Sequence, residues 1–218
     1  MDAFVIAMDN EAECALAHLA RHEGRTVFGR RVSTGTFAGR KTSVIVAGIG
    51  KVNVAAATQL ALSELGAKRI FNIGVAGGLD PAMEVGGVYA VKEAVQYDFD
   101  LVQVNGTPMG TLAERSSPFI PLTLSPSWKI PAVTLGSGDR FNDSEADYRL
   151  LRSMGAGLRD MEGAAIAQVC ERAGVPFYSV KWVSDVYGRG STPDQFAANL
   201  KTCLEKATTE LPSIFADV

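Results

Sequence analysis

KTSVIVAGIGKVNVAAATQLALSELGAKRIFNIG, residues 41–74, carries the reading that decides the fold. Lys41 to Ala47 alternates and then turns continuously apolar, which is the pattern of a strand entering a core buried on both faces. Gly48-Ile-Gly-Lys51 is a turn. Val52 to Leu65 is rich in Ala and Leu and stops at Gly66, a helix with its C-terminal signal. Arg69-Ile-Phe-Asn-Ile-Gly74 is a second strand, and Gly74-Val-Ala-Gly-Gly78 is expected to be a loop of small residues behind it.

The same alternation extends in both directions. Ala3 to Met8 is a short strand, and Asp9-Asn10-Glu11 opens a helix with Ala12, Leu16, Leu19 and Ala20 on one face. Arg31 to Gly39 pairs as a hairpin with the strand from Lys41. Downstream, strands are expected at Gly86–Val95, Pro131–Gly136 and Pro176–Val183, with helices at Ser144–Met154, Met161–Ala173 and Pro193–Leu211. Gln96 to Ile130 has four prolines and little periodicity, and a loop of that length inside a compact unit is usually functional or covered by a partner. Strands alternating with helices predict a three-layer α/β fold around a mixed, mostly parallel sheet. No repeat or linker divides the chain, so residues 1–218 are expected to form one domain.

Composition removes several function classes. With 47% hydrophobic and 21% charged residues the chain is neither disordered nor fibrous. Lys+Arg number 21 against 24 Asp+Glu, so no basic excess exists to track nucleic-acid phosphates. No apolar run approaches the ~20 residues of a bilayer span and the start has no basic leader, giving a cytoplasmic expectation without membrane contact. Cys14, Cys170 and Cys203 are odd in number and widely spaced, and are expected to be reduced core thiols. His18 and His22, four apart on the first predicted helix, lack further ligands and read as a solvated face, so no metal is expected.

In an open α/β sheet the ligand lies beyond the strand ends, so the polar residues that follow apolar strands are the ones to weigh. They are Glu11, Ser137-Gly-Asp-Arg-Phe-Asn142, Asp160-Met-Glu162 and Ser184-Asp185, beside the two glycine-bearing turns. Gly48-x-Gly50 lacks the third glycine of a dinucleotide fingerprint, and neither a P-loop nor a G-x-S-x-G elbow is present. With both histidines on one helix, a serine or cysteine nucleophile has no base. Carboxylate chemistry remains, through Glu11, Glu162 and Asp185. Each also fits a plain structural role, as a helix first-turn charge or an N-cap. Met8, Met161 and Phe196 read equally as core residues or as an apolar pocket wall, with core favoured.

Six motifs occur together: Ala7-Met8-Asp9-Asn10-Glu11, Gly48-Ile-Gly-Lys-Val52, Asn72-Ile-Gly-Val-Ala-Gly-Gly78, Ser137-Gly-Asp-Arg-Phe-Asn142, Asp160-Met-Glu162-Gly-Ala-Ala and Val183-Ser-Asp185. In this order they make the chain resemble the nucleoside phosphorylase and nucleosidase superfamily, most closely its 5′-methylthioadenosine/S-adenosylhomocysteine nucleosidases. The resemblance implies hydrolysis of the N-glycosidic bond of a purine nucleoside, a 5′-modified adenosine first among them, without a cofactor. It implies Asp185 as the acid that protonates purine N7, Glu11 as the base for water, and Glu162 as the ligand of the ribose hydroxyls. Phe141 would stack on the purine, with backbone groups near Asn142 at its edge. Met8, Ile49, Val75, Ala76, Gly77, Met161 and Lys181 would contact the substrate, and Phe196 would help enclose the 5′ group.

The sequence departs from those nucleosidases at two positions, with Val75 where they usually carry Ser and Lys181 where they usually carry Arg. A lysine keeps the charge but not the planar fork of a guanidinium. Phosphorylases of the superfamily bring an arginine to this region to hold phosphate, a group that Asn72 and Val75 do not supply, so water is the expected nucleophile. A futalosine-type nucleoside hydrolase, a phosphate-dependent phosphorylase and a weakly active nucleoside-binding protein remain the alternatives. The resemblance also implies a homodimer. In it the 96–130 segment lies at the interface and Leu101 completes the neighbour's 5′ pocket.

Overall fold

The computed structural model describes every residue from Met1 to Val218. In chain order its elements are β1 (Asp2–Ile6), α1 (Asp9–Leu16), β2 (Ala20–Val27), β3 (Arg30–Phe37), β4 (Arg40–Val46), α2 (Lys51–Ser63), β5 (Arg69–Gly78) and β6 (Val88–Gln96). There follow α3 (Val102–Asn105), β7 (Phe119–Pro121), β8 (Ala132–Ser137), α4 (Glu145–Ser153), β9 (Ala156–Asp160), α5 (Gly163–Ala173), β10 (Phe177–Val186) and α6 (Thr192–Phe215). No helix is long and apolar enough to cross a membrane.

All ten strands belong to one sheet, ordered β10-β6-β8-β9-β5-β1-β4-β3-β2, with β7 on β6. β10 also pairs with β5, so β5, β9, β8, β6 and β10 close into a ring while β1, β4, β3 and β2 extend from it as a tail. The ladders β1–β4, β1–β5, β5–β10, β6–β8 and β8–β9 are parallel. Antiparallel pairing occurs at the β2–β3–β4 meander and where the ring closes, at β6–β10 and β5–β9. This is the expected mixed α/β architecture.

Period-two alternation in β1 shows how the layers form. Ala3 and Val5 face the core under α2 and α5, whereas Phe4 and Ile6 face the core under α1 and α6. Phe4, Phe71 and Phe215 meet at centroid distances of 5.2 to 5.7 Å, which fastens the end of α6 to the sheet. Cys14, Cys170 and Cys203 are free and buried.

Four expectations need correction. Gly74 to Gly78 is no loop: it continues β5, paired with β10 and at its end with β9. The first helix stops at Leu16, so His18 and His22 share no helix: His18 lies in the turn and its Nε2 contacts the Thr208 carbonyl, and His22 lies in β2. The last helix of the central pair begins at Gly163 and not at Met161, because Asp160 accepts the Glu162 and Gly163 amides and caps it there. The 96–130 segment is also more anchored than its prolines suggest. It contains α3 and β7, buries Leu112 and Ile120, and seats the Trp128 indole N–H on the Ile214 carbonyl.

Candidate active site

The parallel strands β1, β4, β5 and β10 all end on one side of the sheet, and there the chain encloses a cavity of about 400 Å³. Glu11 enters it from the first turn of α1. Its carboxylate accepts the Val75 amide at 2.8 Å and reaches back to the Met8 amide at 3.3 Å, so one side chain ties the helix start to the β5 end. Gly74 is what allows this approach, since a Cβ there would overlap the Glu11 carboxylate. Burial raises the Glu11 pKa above the ordinary carboxylate value, against the opposing pull of the Lys181 ammonium.

Glu162 precedes α5 and accepts the Gly50 amide at 2.9 Å and the Met161 amide at 3.2 Å. Gly50 holds φ at +98°, a conformation that side chains rarely adopt, and this turns its N–H toward the carboxylate. Burial, reinforced by Asp160, pushes the Glu162 pKa up to about 7.

Asp185 owes its aim to a register shift in β10 between Val183 and Asp185, which sets Asp185 opposite Gly77. Its Oδ1 accepts the Ser184 hydroxyl at 2.7 Å, while Oδ2 is buried without a hydrogen-bond partner. Arg159 Nη2 stands 3.8 Å from Oδ2, close enough to attract but too far to bond. Burial raises the Asp185 pKa; the Ser184 hydrogen bond and Arg159 oppose it. An unpaired, desolvated carboxyl at a cavity wall is suited to hold a proton for a ligand.

Lys181, expected to contact the substrate, instead lies beneath the cavity and does not line it, because its ammonium is drawn to Asp160. Its ammonium meets Asp160 Oδ2 at 3.0 Å, and Asp160 Oδ1 also accepts the Ser137 hydroxyl at 2.5 Å. Burial alone would lower the Lys181 pKa, but Asp160, Glu162 and Glu11 together raise it. The lysine is therefore the cation that balances the buried carboxylates around it.

Met8, Ile49, Val75, Ala76, Gly77, Phe141, Met161 and Phe196 all line the cavity; Met8, Met161 and Phe196, for which a core position was favoured, are only partly buried. Phe141 and Phe196 meet edge to face at 5.4 Å across its mouth. Asn142 does not line the cavity: its side-chain amide donates to Asp147, and its backbone carbonyl accepts Arg159 Nη1. Leu101 precedes α3 and is not part of this cavity wall within the one chain. Sequence reasoning missed Arg159, because β9 was not recognised as a strand. It gave no role to Arg140, Asp160 or Ser184, although all three lie inside the quoted motifs.

A closed α/β ring with three buried carboxyl groups at its strand ends is a phosphorylase-type architecture. The chain belongs to the Phosphorylase superfamily, whose family model matches residues 2–216. It is similar to the 5′-methylthioadenosine/S-adenosylhomocysteine nucleosidase of Marinomonas sp. (strain MWYL1), 32% identical over 216 residues, with 93% of this chain and 92% of the relative covered. It is also similar to the solved 5′-methylthioadenosine/S-adenosylhomocysteine nucleosidase of Neisseria meningitidis in complex with methylthio-immucillin-A. That match has a TM-score of 0.88 and 25% identity, and covers 100% of this chain and 99% of that one. Futalosine hydrolase of Helicobacter pylori strain 26695 shares the fold, with a TM-score of 0.89 at 24% identity over 100% of this chain and 97% of that one.

Proposed function

We propose that the chain hydrolyses the N-glycosidic bond of a purine nucleoside substituted at the 5′ carbon, as one domain and without a metal or organic cofactor. One observation carries the reading: Glu11, Glu162 and Asp185 share a cavity, each held by different partners. Cleavage of an N-ribosyl bond places positive charge on the sugar and negative charge on the base, so the site needs an acid, a cation-stabilising group and a base. Asp185 donates its proton from Oδ2 to purine N7 as the C1′–N9 bond breaks and its electron pair passes to the purine. Glu162 binds the ribose hydroxyls and offsets the oxocarbenium charge. Water adds to C1′ and its proton passes to Glu11. Phe141 stacks on the base, and Met8 and Met161 pack on the sugar.

Water is favoured over phosphate by the state of the cations. Lys181 is committed to Asp160, Arg140 to Asp147, and Arg159 lies at the Asp185 end of the cavity. At the Glu11 end Val75 offers an isopropyl group, and its amide is already taken. The thioether-substituted adenosines in the relatives' names support a 5′-substituted substrate. The 5′ pocket is completed by a second copy, with Leu101 contributed across a homodimer interface. Exposed Val102 and Val104 on α3 and exposed Ile49 and Val52 around Lys51 supply the apolar surface, and the Lys51–Asp98 ion pair joins the two patches. The test is a panel of 5′-modified purine nucleosides assayed for free base with and without phosphate. Base release independent of phosphate is expected. Turnover that requires phosphate would assign phosphorolysis instead, and no release from any member would end the reading.

A further inference from the structure

Arg159 is a cation inside the cavity that the reaction above does not use. Its side chain is buried and comes from β9, where the residue pairs with Gly77. A Cβ at Gly77 would stand 2.7 Å from Asp185 Oδ2 and 2.9 Å from Arg159 Nε, so both side chains crowd the same bare stretch of β5. Arg159 Nη1 donates to the Asn142 carbonyl at 2.6 Å, and Nη2 donates to the Thr192 hydroxyl at 3.0 Å while standing 3.8 Å from Asp185 Oδ2. The guanidinium is thus fixed between the acid and the loop that carries Phe141.

With Asp185 on N7, the C6 substituent of the purine lies on the same edge. That edge offers two acceptors, N7 and O6, in a 6-oxopurine, but an acceptor and an amino donor in adenine. A guanidinium has donors only. The Asn142 carbonyl beside it is engaged by Arg159 Nη1. We propose that Arg159 makes the site select nucleosides of 6-oxopurines, hypoxanthine-type bases, over the corresponding adenine nucleosides. The inference rests on Asp185 acting at N7, as proposed above, and changes the base expected from the relatives' names. The chemistry favours it as well. When the C1′–N9 pair passes to a 6-oxopurine, negative charge spreads to O6, where a fixed cation stabilises the transition state more than the ground state.

The test compares kcat/KM for 5′-methylthioinosine and 5′-methylthioadenosine, together with calorimetric binding of free hypoxanthine and adenine. The wild-type chain is expected to favour the 6-oxo member by about ten-fold or more in both measurements, the size of one well-made charged base contact. Arg159→Met is expected to erase or invert that ratio, and Arg159→Lys to keep part of it. Equal or better use of the adenine nucleoside by the wild-type chain overturns the proposal, whatever the variants do. If neither nucleoside is cleaved, the free-base ratio alone decides the selectivity: tighter hypoxanthine supports it, equal or tighter adenine refutes it.

Discussion

Lys181→Met removes one charge and keeps most of the side-chain volume, and it should damage both stability and the acid limb of activity. The ammonium sits 3.0 Å from Asp160 Oδ2, with both side chains nearly fully buried at 3% and 2% exposure. At that separation, with the effective dielectric suited to protein sites, the pair's attraction is about 5 kcal/mol. Breaking a buried pair from one side typically costs about 3–5 kcal/mol because the other charge is stranded. The stranded charge here is Asp160, which also caps α5, beside the raised carboxyls Glu162 and Glu11. A loss of about 3–5 kcal/mol near neutrality is therefore expected, read from the shift of the denaturant midpoint at unchanged slope. The loss should shrink in mild acid, where the carboxyls take up protons. Lys181 is the main influence holding the Glu11 pKa down against burial, so without it Glu11 stays protonated to higher pH and cannot accept a proton from water. The acid limb of kcat should move to higher pH, and Lys181→Arg should restore both properties. A Lys181→Met protein with the wild-type midpoint and an unshifted acid limb would refute the reasoning.

Asp185→Asn and Glu11→Gln should each lower kcat by about 10² or more while ligand binding, followed by calorimetry, changes little; near-normal kcat in either removes that residue from its role. Gly77→Ala, whose Cβ would fall 2.7 Å from Asp185 Oδ2, should lower kcat without unfolding the chain, and thermal melting run beside the assay separates the two effects. Leu101→Asp should weaken the dimer in sedimentation and raise KM more for apolar 5′ groups than for a 5′-hydroxyl, an outcome that a fully active micromolar monomer would exclude. Burial raises the Glu162 pKa to about 7 in the folded state from its ordinary 4.5, so the folded state binds more protons and stability falls as pH rises across that window. Glu162→Gln should flatten this fall, of up to about 3 kcal/mol, in denaturation at a series of pH values.

The parts of the fold legible in sequence are those whose residues are shaped by their own burial. β1 after Asp2 and β4 from Val44 are short apolar runs, β5 opens on Ile70-Phe71, and α2 has its glycine stop. The parts that were not legible take their form from neighbours. Gly74 to Gly78 has loop composition, yet lies between β10 and β9, and its missing side chains are the space that Glu11, Arg159 and Asp185 occupy. β9, Ala-Gly-Leu-Arg-Asp, has no periodicity of its own and is a strand because β8 and β5 flank it. Arg159 was hidden with it. β2 is almost wholly exposed and polar, so nothing in its pattern separated it from the helix before it. At the site, the three carboxyls and Phe141 were visible as residues at strand ends and helix starts. The placing of Lys181 beneath the cavity was not, because it depends on Asp160 turning inward to meet it.

The central claim is that the three carboxyls of one cavity direct water to C1′ of a purine nucleoside. A nucleoside carrying ¹³C at C1′, turned over in excess phosphate and followed by ¹³C NMR, tests it directly. The account predicts a free reducing sugar with an equimolar amount of free purine, and no carbon–phosphorus coupling at C1′. A coupled sugar 1-phosphate signal, or an intact nucleoside after prolonged incubation with the enzyme, would contradict it.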